Sequence, residues 1–449
     1  MSDSRTSSIE SQLKILEDKV SSVLDHAKKL GASGAEAGVG MDQGLSVSAR
    51  TGEVETIEHH RDQSLGVTVY FGHRKGSAST TDLSENSLKE TVEAACTIAK
   101  YTQEDPFSGL PNPELLAKEI PDLELFHPWD ISVDEAIEQV IACENIAREY
   151  HHEIINSEGA SLNTHLSIRV LGNSLGFLHG YPVSRHSLSC AVVGKRGENM
   201  QRDYWYTVAR DASELDSPEQ VGLTAAKRTL ARLGARSLST RQCPVVYTAE
   251  IATSLIGHFL AAIRGGNLYR KSSFLTDSLG QKIFPDFVHI HEQPHLKKAI
   301  GSAPYDNEGV ATYPHDLISD GIVKSYILSS YSARKLGMQT TGNAGGVHNI
   351  LVDCGNLNRE ALLREMGTGL LVTELMGHGI NIVTGDYSRG AAGFWVENGE
   401  IQYPVEEITI AGNLKDIFQN IIAIGSDVDR RGNIRTGSIW IKEMTVAGN

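Results

Sequence analysis

The stretch from Gly367 to Asn413 constrains the fold of this chain most strongly, because its β-forming pieces are short and turn-forming residues fill nearly every gap between them. These pieces are Leu370–Leu375, Gly393–Val396 and Ile401–Pro404. The dipeptide Asn398-Gly399 separates the last two, and it favours a type I′ hairpin turn, which needs positive φ at both central residues. The stretch therefore predicts consecutive strands joined by tight turns.

Within this stretch, the glycine-rich segment Gly385–Gly393 is predicted to be a loop. Glycines lack a Cβ, so a ligand or a partner chain can approach such a backbone closely. The segment therefore favours binding over core filling. Its candidate binding residues are Asp386, Tyr387, Arg389 and Gly390.

The length and charge of the chain limit its class and its partners. A chain of 449 residues is long enough for two or three domains with substantial cores. The formal net charge is −15, and a field of that sign repels nucleic acid and anionic membrane surfaces. We therefore expect neither nucleic acid nor membrane as a partner, whereas neutral or cationic peptides are compatible.

The sequence predicts a cytoplasmic protein. The N-terminus has no apolar leader, and no run of about 18 apolar residues could span a bilayer. The five cysteines are scattered singly, which argues against a disulfide framework and against a CxxC metal site.

Periodicity in the first half predicts helices that alternate with strands. Proline-rich residues 105–129 predict an extended connector. Ser132 with Glu135 and Ser217 with Pro218 are helix-start signals. The helices are expected at Ile9–Leu30, Glu85–Tyr101, Val133–Tyr150, Pro218–Leu233 and Ala249–Ile263, and the strands at Leu45–Arg50, Val54–His59, Leu65–Phe71, Leu166–Leu171, His186–Val193 and Tyr204–Ala209.

The predicted fold class is α+β with two domains. Residues 1–236 form an α/β-sandwich-like domain, and a repeated strand–strand–helix order suggests an internal duplication, although two ordinary segments would give the same pattern. Residues 237–449 form a mostly antiparallel, β-rich, barrel-like domain, because glycine density rises there and helical periodicity mostly fades, apart from a short segment near Arg359–Met366.

Two segments invite a test for metal ligands. On the helix Ala249–Ile263, Glu250 and His258 are eight residues apart, too far to share one tetrahedral ion unaided. In the second segment, alternation along a strand would place His289 and His291 on one face, with His295 nearby. The alternative for this histidine tract is a solvated strand with adventitious affinity for metal.

Two charged clusters are further candidates for peptide or partner binding. Tyr269, Arg270 and Lys271 form a basic-aromatic cluster in an acidic chain, and Tyr305, Asp306 and Glu308 form an acidic turn. Together with Asp386 and Arg389 they could clamp the ends or the backbone of a peptide. They could equally pair with one another across a barrel rim.

The motifs together resemble the TldD/TldE family of modulator-of-gyrase proteins, in its PmbA (TldE) branch. The resemblance covers essentially the whole chain, and the match from Tyr387 to Asn413 is the most specific. The motifs that carry it are Arg50–Glu55, Arg74–Ser79, Phe126–Pro128, Tyr269–Ser272, Pro304–Val310, Ser330–Gly337, Thr341–Asn349 and Gly367–Asn413.

The resemblance implies a cytoplasmic, two-subunit zinc protease that cleaves short unfolded peptides, with roles in peptide antibiotic maturation and antitoxin degradation. It also implies an N-terminal α+β domain and a barrel-like C-terminal domain. In the catalytic subunit of this family, a His-Glu-x-x-x-His motif and a cysteine near the C-terminus hold the metal.

This chain departs from that ligand set. The two histidine positions fall on Ala249 and Ser254, the glutamate falls on Glu250, and Thr436 lies in the segment that should carry the cysteine. The resemblance therefore implies a non-catalytic subunit without a metal, in which Glu250 is a relic of the general base. Zinc is expected in a TldD-like partner with which this chain forms a heterodimer.

Two alternatives remain open at this stage. The chain could be a self-contained peptidase with an unconventional site, for which the histidine tract is the candidate. It could also be an interaction protein that modulates a DNA enzyme.

Overall fold

The computed structural model of this chain describes residues 2–448, with side chains from Ile9 onward. Met1 and Asn449, the outer ends of the two predicted domains, lie outside the described residues. Helices and antiparallel sheets share one chain, so the predicted α+β class is confirmed. No helix within residues 2–448 has the length and apolar character needed to cross a membrane.

The N-terminal half is one large antiparallel sheet with helices before and after each run of strands. Its helices are α1 (Ser2–Lys29), α2 (Glu85–Tyr101), α3 (Val133–Glu149) and α4 (Pro218–Ala231). Its strands are β1 (Gly34–Arg50), β2 (Glu53–Phe71), β3 (Arg74–Thr80), β4 (Ile154–Asn173), β5 (Leu178–Arg196) and β6 (Asn199–Ala209). The sheet order is β3-β2-β1-β4-β5-β6.

The element order shows the predicted repeat. The units α1-β1-β2-β3-α2 and α3-β4-β5-β6-α4 follow the same plan, and their first strands β1 and β4 pair antiparallel at the centre of the sheet. The strand–strand–helix order that the sequence predicted twice is therefore present in both units.

The helices cover one face of this sheet and leave the other face open. Residues of one parity along β1, such as Val39 and Val47, are buried against the helices. Because side chains alternate along a strand, residues of the other parity point to the opposite face. The strand pairings place Arg169 of β4 and Arg185 of β5 on that opposite face, and both are exposed. This surface is called the open face below.

The strands of this sheet are much longer than the sequence predicted. The separate pieces Val54–His59 and Leu65–Phe71 belong to one strand, β2, of 19 residues. The intervening residues of β2 include Asp62, and its partner β1 carries Gly38, Gly40 and Gly44, residue types that are depleted in strands. Continuous pairing between β1 and β2 outweighs that weak local preference.

Residues 102–132 form an irregular strap that fastens the two halves of the molecule. The strap contains turns and bends, and its one helical piece is a 3₁₀ turn at Pro113–Leu115, so the extended connector that its prolines predict is interrupted. Its Ala117 amide donates to the Gly309 carbonyl, and the Ala311 amide donates to the Leu115 carbonyl, each at 2.9 Å. The Arg334 guanidinium also donates to strap carbonyls, including that of Phe107 at 3.0 Å.

The C-terminal half contains a closed barrel and a second sheet. The barrel order is β14-β13-β12-β7-β17, closed by pairing of β14 with β17, and β15 extends it. The second sheet has the order β10-β9-β8-β11-β16. The strands are β7 (Arg241–Tyr247), β8 (Ile290–Glu292), β9 (His315–Ser319), β10 (Ile322–Val323), β11 (Ile350–Val352), β12 (Gly369–Met376), β13 (Asp386–Glu397), β14 (Glu400–Asn413), β15 (Ile421–Ile424), β16 (Ile434–Arg435) and β17 (Ile439–Ala447).

Short helices join these strands. They are α5 (Ala249–Ala262), α6 (Gly265–Tyr269), α7 (Ser330–Leu336), α8 (Arg359–Met366) and α9 (Leu414–Gln419). The sequence predicted α5 and α8. It missed α6, α7 and α9, because segments of five to seven residues are too short to show a helical period.

The prediction of a loop at Gly385–Gly393 is wrong, since all but the first of these residues belong to β13. A Cβ on Gly393 would lie 1.9 Å from the Leu371 carbonyl oxygen, so the close approach that glycine permits is made by the neighbouring strand β12. The predicted hairpin turn is confirmed, with φ of 55° at Asn398 and 79° at Gly399.

The first testable prediction concerns Glu144, a fully buried carboxylate on α3. Its two oxygens accept hydrogen bonds from the amides of Thr51 (2.7 Å) and Gly52 (2.8 Å) in the β1–β2 turn. We expect Glu144→Ala to lower the free energy of unfolding by roughly 2–3 kcal/mol, because two buried amides lose a charged acceptor. Urea unfolding followed by circular dichroism measures this.

The matched control is Glu138→Ala, an exposed glutamate on the same helix. The control should change the free energy of unfolding by less than about 0.5 kcal/mol. Equal effects of the two substitutions would contradict the assigned role of Glu144.

Candidate functional site

The family resemblance implies the relic of a metal site in the first turns of α5. Ala249 contributes only a methyl group, and the Ser254 hydroxyl donates to the Ile251 carbonyl of its own helix at 2.7 Å. Thr436 is fully buried, and its hydroxyl donates to the Gly437 carbonyl at 3.1 Å. Zinc sites in proteins are built from Cys, His, Asp and Glu side chains, so this donor set does not fit zinc.

Metal ligands are not gathered elsewhere in the part of the chain that the structure describes. No group of three or more His, Cys, Asp or Glu side chains there has an arrangement that could hold a metal ion. The described residues therefore offer no site through which a metal-dependent step can be derived.

Glu250 is held as a counter-ion. Its carboxylate accepts a hydrogen bond at 2.9 Å from the guanidinium of Arg228 on α4, which also reaches Asp203 on β6 at 3.3 Å. Burial alone would lower the pKa of Arg228, but Asp203 and Glu250 outweigh burial and raise it. Glu250 therefore serves as a counter-ion of Arg228 where α4 meets α5.

A cleft beside the Arg228–Glu250 pair lies between the two halves of the molecule, and the ring of Trp205 lines it. It is called the α5 cleft below. The Arg228 guanidinium lies 5.1 Å from the ring centre of Trp205, and that of Arg431 lies 3.9 Å from the same ring. Arg431 also makes two hydrogen bonds to Asp429, at 3.0 and 2.8 Å. The cavity beside these groups has a volume of about 210 Å³. The arrangement closes the cleft with ion pairs and cation–π contacts.

Sequence reasoning missed Trp205, Arg228 and Arg431, since they come from three distant segments. One local signal existed: Asp429 and Arg431 are two residues apart, a spacing that permits a side-chain pair. Nothing in the sequence connects that pair to Trp205 or to Glu250.

The histidine tract is spread over several contacts. His291 lies on β8, and His289 immediately precedes that strand. His291 pairs with Asp353 at 3.3 Å, whereas the nearest carboxylate to His289 is Asp320 at 3.9 Å. Burial lowers the pKa of His295. The three side chains therefore have separate partners.

The buried carboxylate beside this tract was not predicted. Glu292 is 1% exposed, and it accepts hydrogen bonds from the ring and amide of His348 and from the side chain of Asn343. Burial opposes ionisation of Glu292, but these hydrogen bonds outweigh it and lower the pKa. The carboxylate fixes residues 341–349 against β8.

The acidic turn at residues 305–308 also has structural contacts. Asp306 is 3% exposed and accepts hydrogen bonds at 2.9–3.0 Å from the amides of Glu308, Val310 and Ala344. Burial raises its pKa to about 7, against the effect of those amides. The Tyr305 hydroxyl donates to the His179 carbonyl at 2.9 Å. Both residues nevertheless line the cleft below the open face.

The basic-aromatic cluster lies on the other side of α7 from this turn. The ring of Tyr269 packs edge-on against Tyr331 of α7 at 5.9 Å, and the Ser330 amide donates to Glu308 at 2.9 Å. Arg270 and Lys271 are exposed beside Tyr269. The structure therefore brings these two predicted clusters to neighbouring positions.

The remaining candidates lie on β13. Asp386 is exposed and accepts a hydrogen bond from the Thr384 hydroxyl at 2.6 Å. Tyr387 is 1% exposed in the barrel core, and its ring packs edge-on against His258 of α5 at 6.0 Å. Burial, reinforced by Arg389, lowers the pKa of His258 to about 4. Asp386 and Arg389 therefore face different surroundings, and Gly390 pairs with Met376 of β12.

The whole chain has known relatives. Models of the PmbA/TldA metallopeptidase family match it as domain 1 (residues 35–99), central domain (residues 126–233) and C-terminal domain (residues 240–448). The chain is 53% identical to "Metalloprotease PmbA" of Escherichia coli O157:H7, over 98% of both chains. It is 50% identical to "Metalloprotease PmbA homolog" of Haemophilus influenzae, over 100% of this chain and 99% of the relative.

More distant relatives extend the comparison. The "Metalloprotease TldD homolog" of the same Haemophilus influenzae strain is 23% identical, over 84% of this chain and 83% of the relative. A crystal structure from Bacteroides thetaiotaomicron, described as a modulator of DNA gyrase, superposes with a TM-score of 0.92 at 27% identity. That superposition covers 96% of this chain and 98% of the other.

The matched domains account for most of the chain, and the identity to PmbA proteins extends from end to end. The chain therefore belongs to the PmbA/TldD metallopeptidase family.

Proposed function

We propose that this protein is the non-catalytic subunit of a heterodimeric zinc metalloprotease that cleaves short unfolded peptides in the cytoplasm. The zinc-bearing subunit is a TldD-like homologue, and this chain forms one wall of the peptide-sized chamber. Maturation of peptide antibiotics and degradation of an antitoxin are the roles that the resemblance implies.

The observation that carries the proposal is the set of residues at the motif positions of α5. The family's catalytic motif needs two imidazoles and a glutamate free to act on a metal-bound water. This chain has Ala249 and Ser254 at the imidazole positions, and its Glu250 is paired with Arg228. The helix therefore has the glutamate of the motif and neither of its two histidines.

The relatives support a division of labour between two chains. Haemophilus influenzae has both a PmbA homolog and a TldD homolog that match this sequence, and a strain of Buchnera aphidicola also has both. A second, more distant homologue in the same organism is what a heterodimer of related subunits requires.

The first prediction from this proposal concerns zinc and activity. The purified chain should contain far less than one zinc per molecule and should not cleave an unstructured peptide, because α5 lacks zinc ligands. Adding the TldD-like homologue from the same organism should give cleavage. Zinc analysis by mass spectrometry and a fluorogenic peptide assay measure these outcomes. Stoichiometric zinc or robust cleavage by the isolated chain would refute the proposal.

A second prediction compares the catalytic importance of Glu250 with that of the motif glutamate in the homologue. Glu250→Gln should leave peptide cleavage by the complex within about threefold of the unmodified rate, because the Arg228 ion pair makes Glu250 a structural group. The matched control is the same Glu→Gln change in the His-Glu-x-x-x-His motif of the homologue. The control should lower the rate at least about a hundredfold, as loss of a general base does. A comparable loss in Glu250→Gln would place catalysis in this chain.

The histidine tract provides the third prediction. The double substitution His289→Ala/His291→Ala should leave cleavage by the complex nearly unchanged, because the two side chains approach different carboxylates and share no ion. The same peptide assay measures this. If the double variant lost activity while keeping its circular dichroism spectrum, a self-contained peptidase site in the tract would replace the subunit model.

A further inference from the structure

A cleft runs between the open face of the N-terminal sheet and the loops of the C-terminal half. The cleft contains two adjoining cavities, each of about 360 Å³, and some residues line both of them. The shared residues are Arg169, Tyr181, Tyr305, Asp306 and Asn307. Such volumes hold a few residues of an extended peptide.

Three arginines gather at this cleft. Arg169 lies opposite Tyr181 in the β4–β5 pairing, and Arg185 lies opposite His165, so both project from the open face. Arg210 follows β6 and is 7% exposed. Burial, reinforced by the nearby charges of Arg185 and Arg169, lowers the pKa of Arg210 to about 10.

These cations lack carboxylate partners within residues 9–448. The guanidinium groups of Arg169 and Arg185 make no ion pair or hydrogen bond with the described residues. The guanidinium of Arg210 donates to the carbonyl oxygens of Ser184 (3.0 Å), Ala299 (3.1 Å) and Ile300 (2.8 Å). Clustered like charges repel one another, so an external anion would stabilise this arrangement.

The contrast with the rest of the chain makes the cluster unusual. The net charge is −15, and the arginines of the α5 cleft all have carboxylate partners: Arg228 with Glu250, Arg232 with Asp203 and Arg431 with Asp429. Two carboxyl groups, Asp42 and Asp306, also line these cavities, but neither forms an ion pair with the arginines of the cluster, and Asp42 lies 3.1 Å from His165. The Asp306 carboxyl, which lines the same cleft, is occupied by three backbone amides.

We propose that Arg169, supported by Arg185 and Arg210, binds a carboxylate of a peptide that lies in this cleft. Arginine suits this role because its planar guanidinium makes paired hydrogen bonds to a carboxylate. Tyr181 and Tyr305, whose rings meet edge-on at 5.4 Å, provide an adjoining aromatic wall for an apolar side chain. The inference rests on the proposed function only in taking the ligand to be a peptide.

The carboxylate could belong to the C-terminus of the peptide or to an acidic side chain. The geometry favours a peptide over a nucleic acid, because the rest of the chain is strongly acidic and would repel an extended polyanion. Binding measurements with matched peptides distinguish a C-terminal carboxylate from an acidic side chain.

The test uses binding by the full-length chain, without the homologue. Fluorescence anisotropy would be measured with a labelled neutral hexapeptide that has a free C-terminus, with its C-terminal amide, and with the amide carrying one internal Asp or Asn. A labelled single-stranded oligonucleotide of six nucleotides is added for comparison. Each probe is measured against the unmodified chain, Arg169→Gln and Arg185→Gln, both of which change exposed side chains.

The matched control variant is Arg61→Gln. Arg61 is exposed on β2 of the same sheet, but it lies opposite Gln43 and so projects from the other face. This control removes one charge from the same domain without touching the cleft.

We expect the free-carboxylate peptide to bind at least about tenfold more tightly than its amide, and Arg169→Gln to remove that difference. Arg185→Gln should reduce it partly, and Arg61→Gln should leave it intact. If the amide with an internal Asp binds as tightly as the free acid, the ligand is an acidic side chain, and the site still stands.

Three results would overturn the inference. They are equal binding of the acid and the amide, equal weakening by Arg61→Gln, or tighter binding of the oligonucleotide than of any peptide. Each is independent of zinc and of cleavage, so failure here is distinguishable from failure of the subunit proposal.

Discussion

The ion pair between Arg228 and Glu250 is the interaction on which the account depends. Arg228 belongs to the last turns of α4 in the N-terminal sheet domain, and Glu250 belongs to the first turn of α5, which packs on the barrel. The bond therefore joins the two halves of the molecule at the first turn of α5. Removing one member of a largely buried pair leaves the other charge uncompensated, so the contact is costly to lose. Around it, Trp205 and Arg431 extend the same joint from the sheet to the C-terminal segment.

Much of the fold could be predicted from local signals. The capping box of Ser132 and Glu135, the start of α4 at Ser217-Pro218 and the turn at Asn398-Gly399 all lie where the sequence placed them. Each depends on the chemistry of two to four adjacent residues. The length of the strands was not predictable in this way. Glycines and aspartates interrupt the β pattern of the first two strands, and only pairing with a neighbouring strand keeps such residues extended.

The candidate site was less accessible to sequence reasoning. The resemblance to the family places its metal-ligand positions at Ala249, Ser254 and Thr436, and none of these side chains is a usual zinc ligand. The partner of Glu250 could not, because Arg228 precedes it by 22 residues and meets it only through the packing of α4 on β6. The segment Gly385–Gly393 shows the opposite error: its glycines do permit a close approach, but the approaching group is the strand beside it. Glycine content alone does not tell a ligand from a neighbouring strand.

The central claim is that the catalytic zinc of the complex lies in the other chain. The most direct measurement is anomalous diffraction at the zinc absorption edge from crystals of this chain bound to its TldD-like homologue. The account predicts a single strong anomalous peak at the His-Glu-x-x-x-His helix of the homologue, with no peak at α5 or at the histidine tract of this chain. A strong peak beside Glu250, or between His289 and His291, would contradict it.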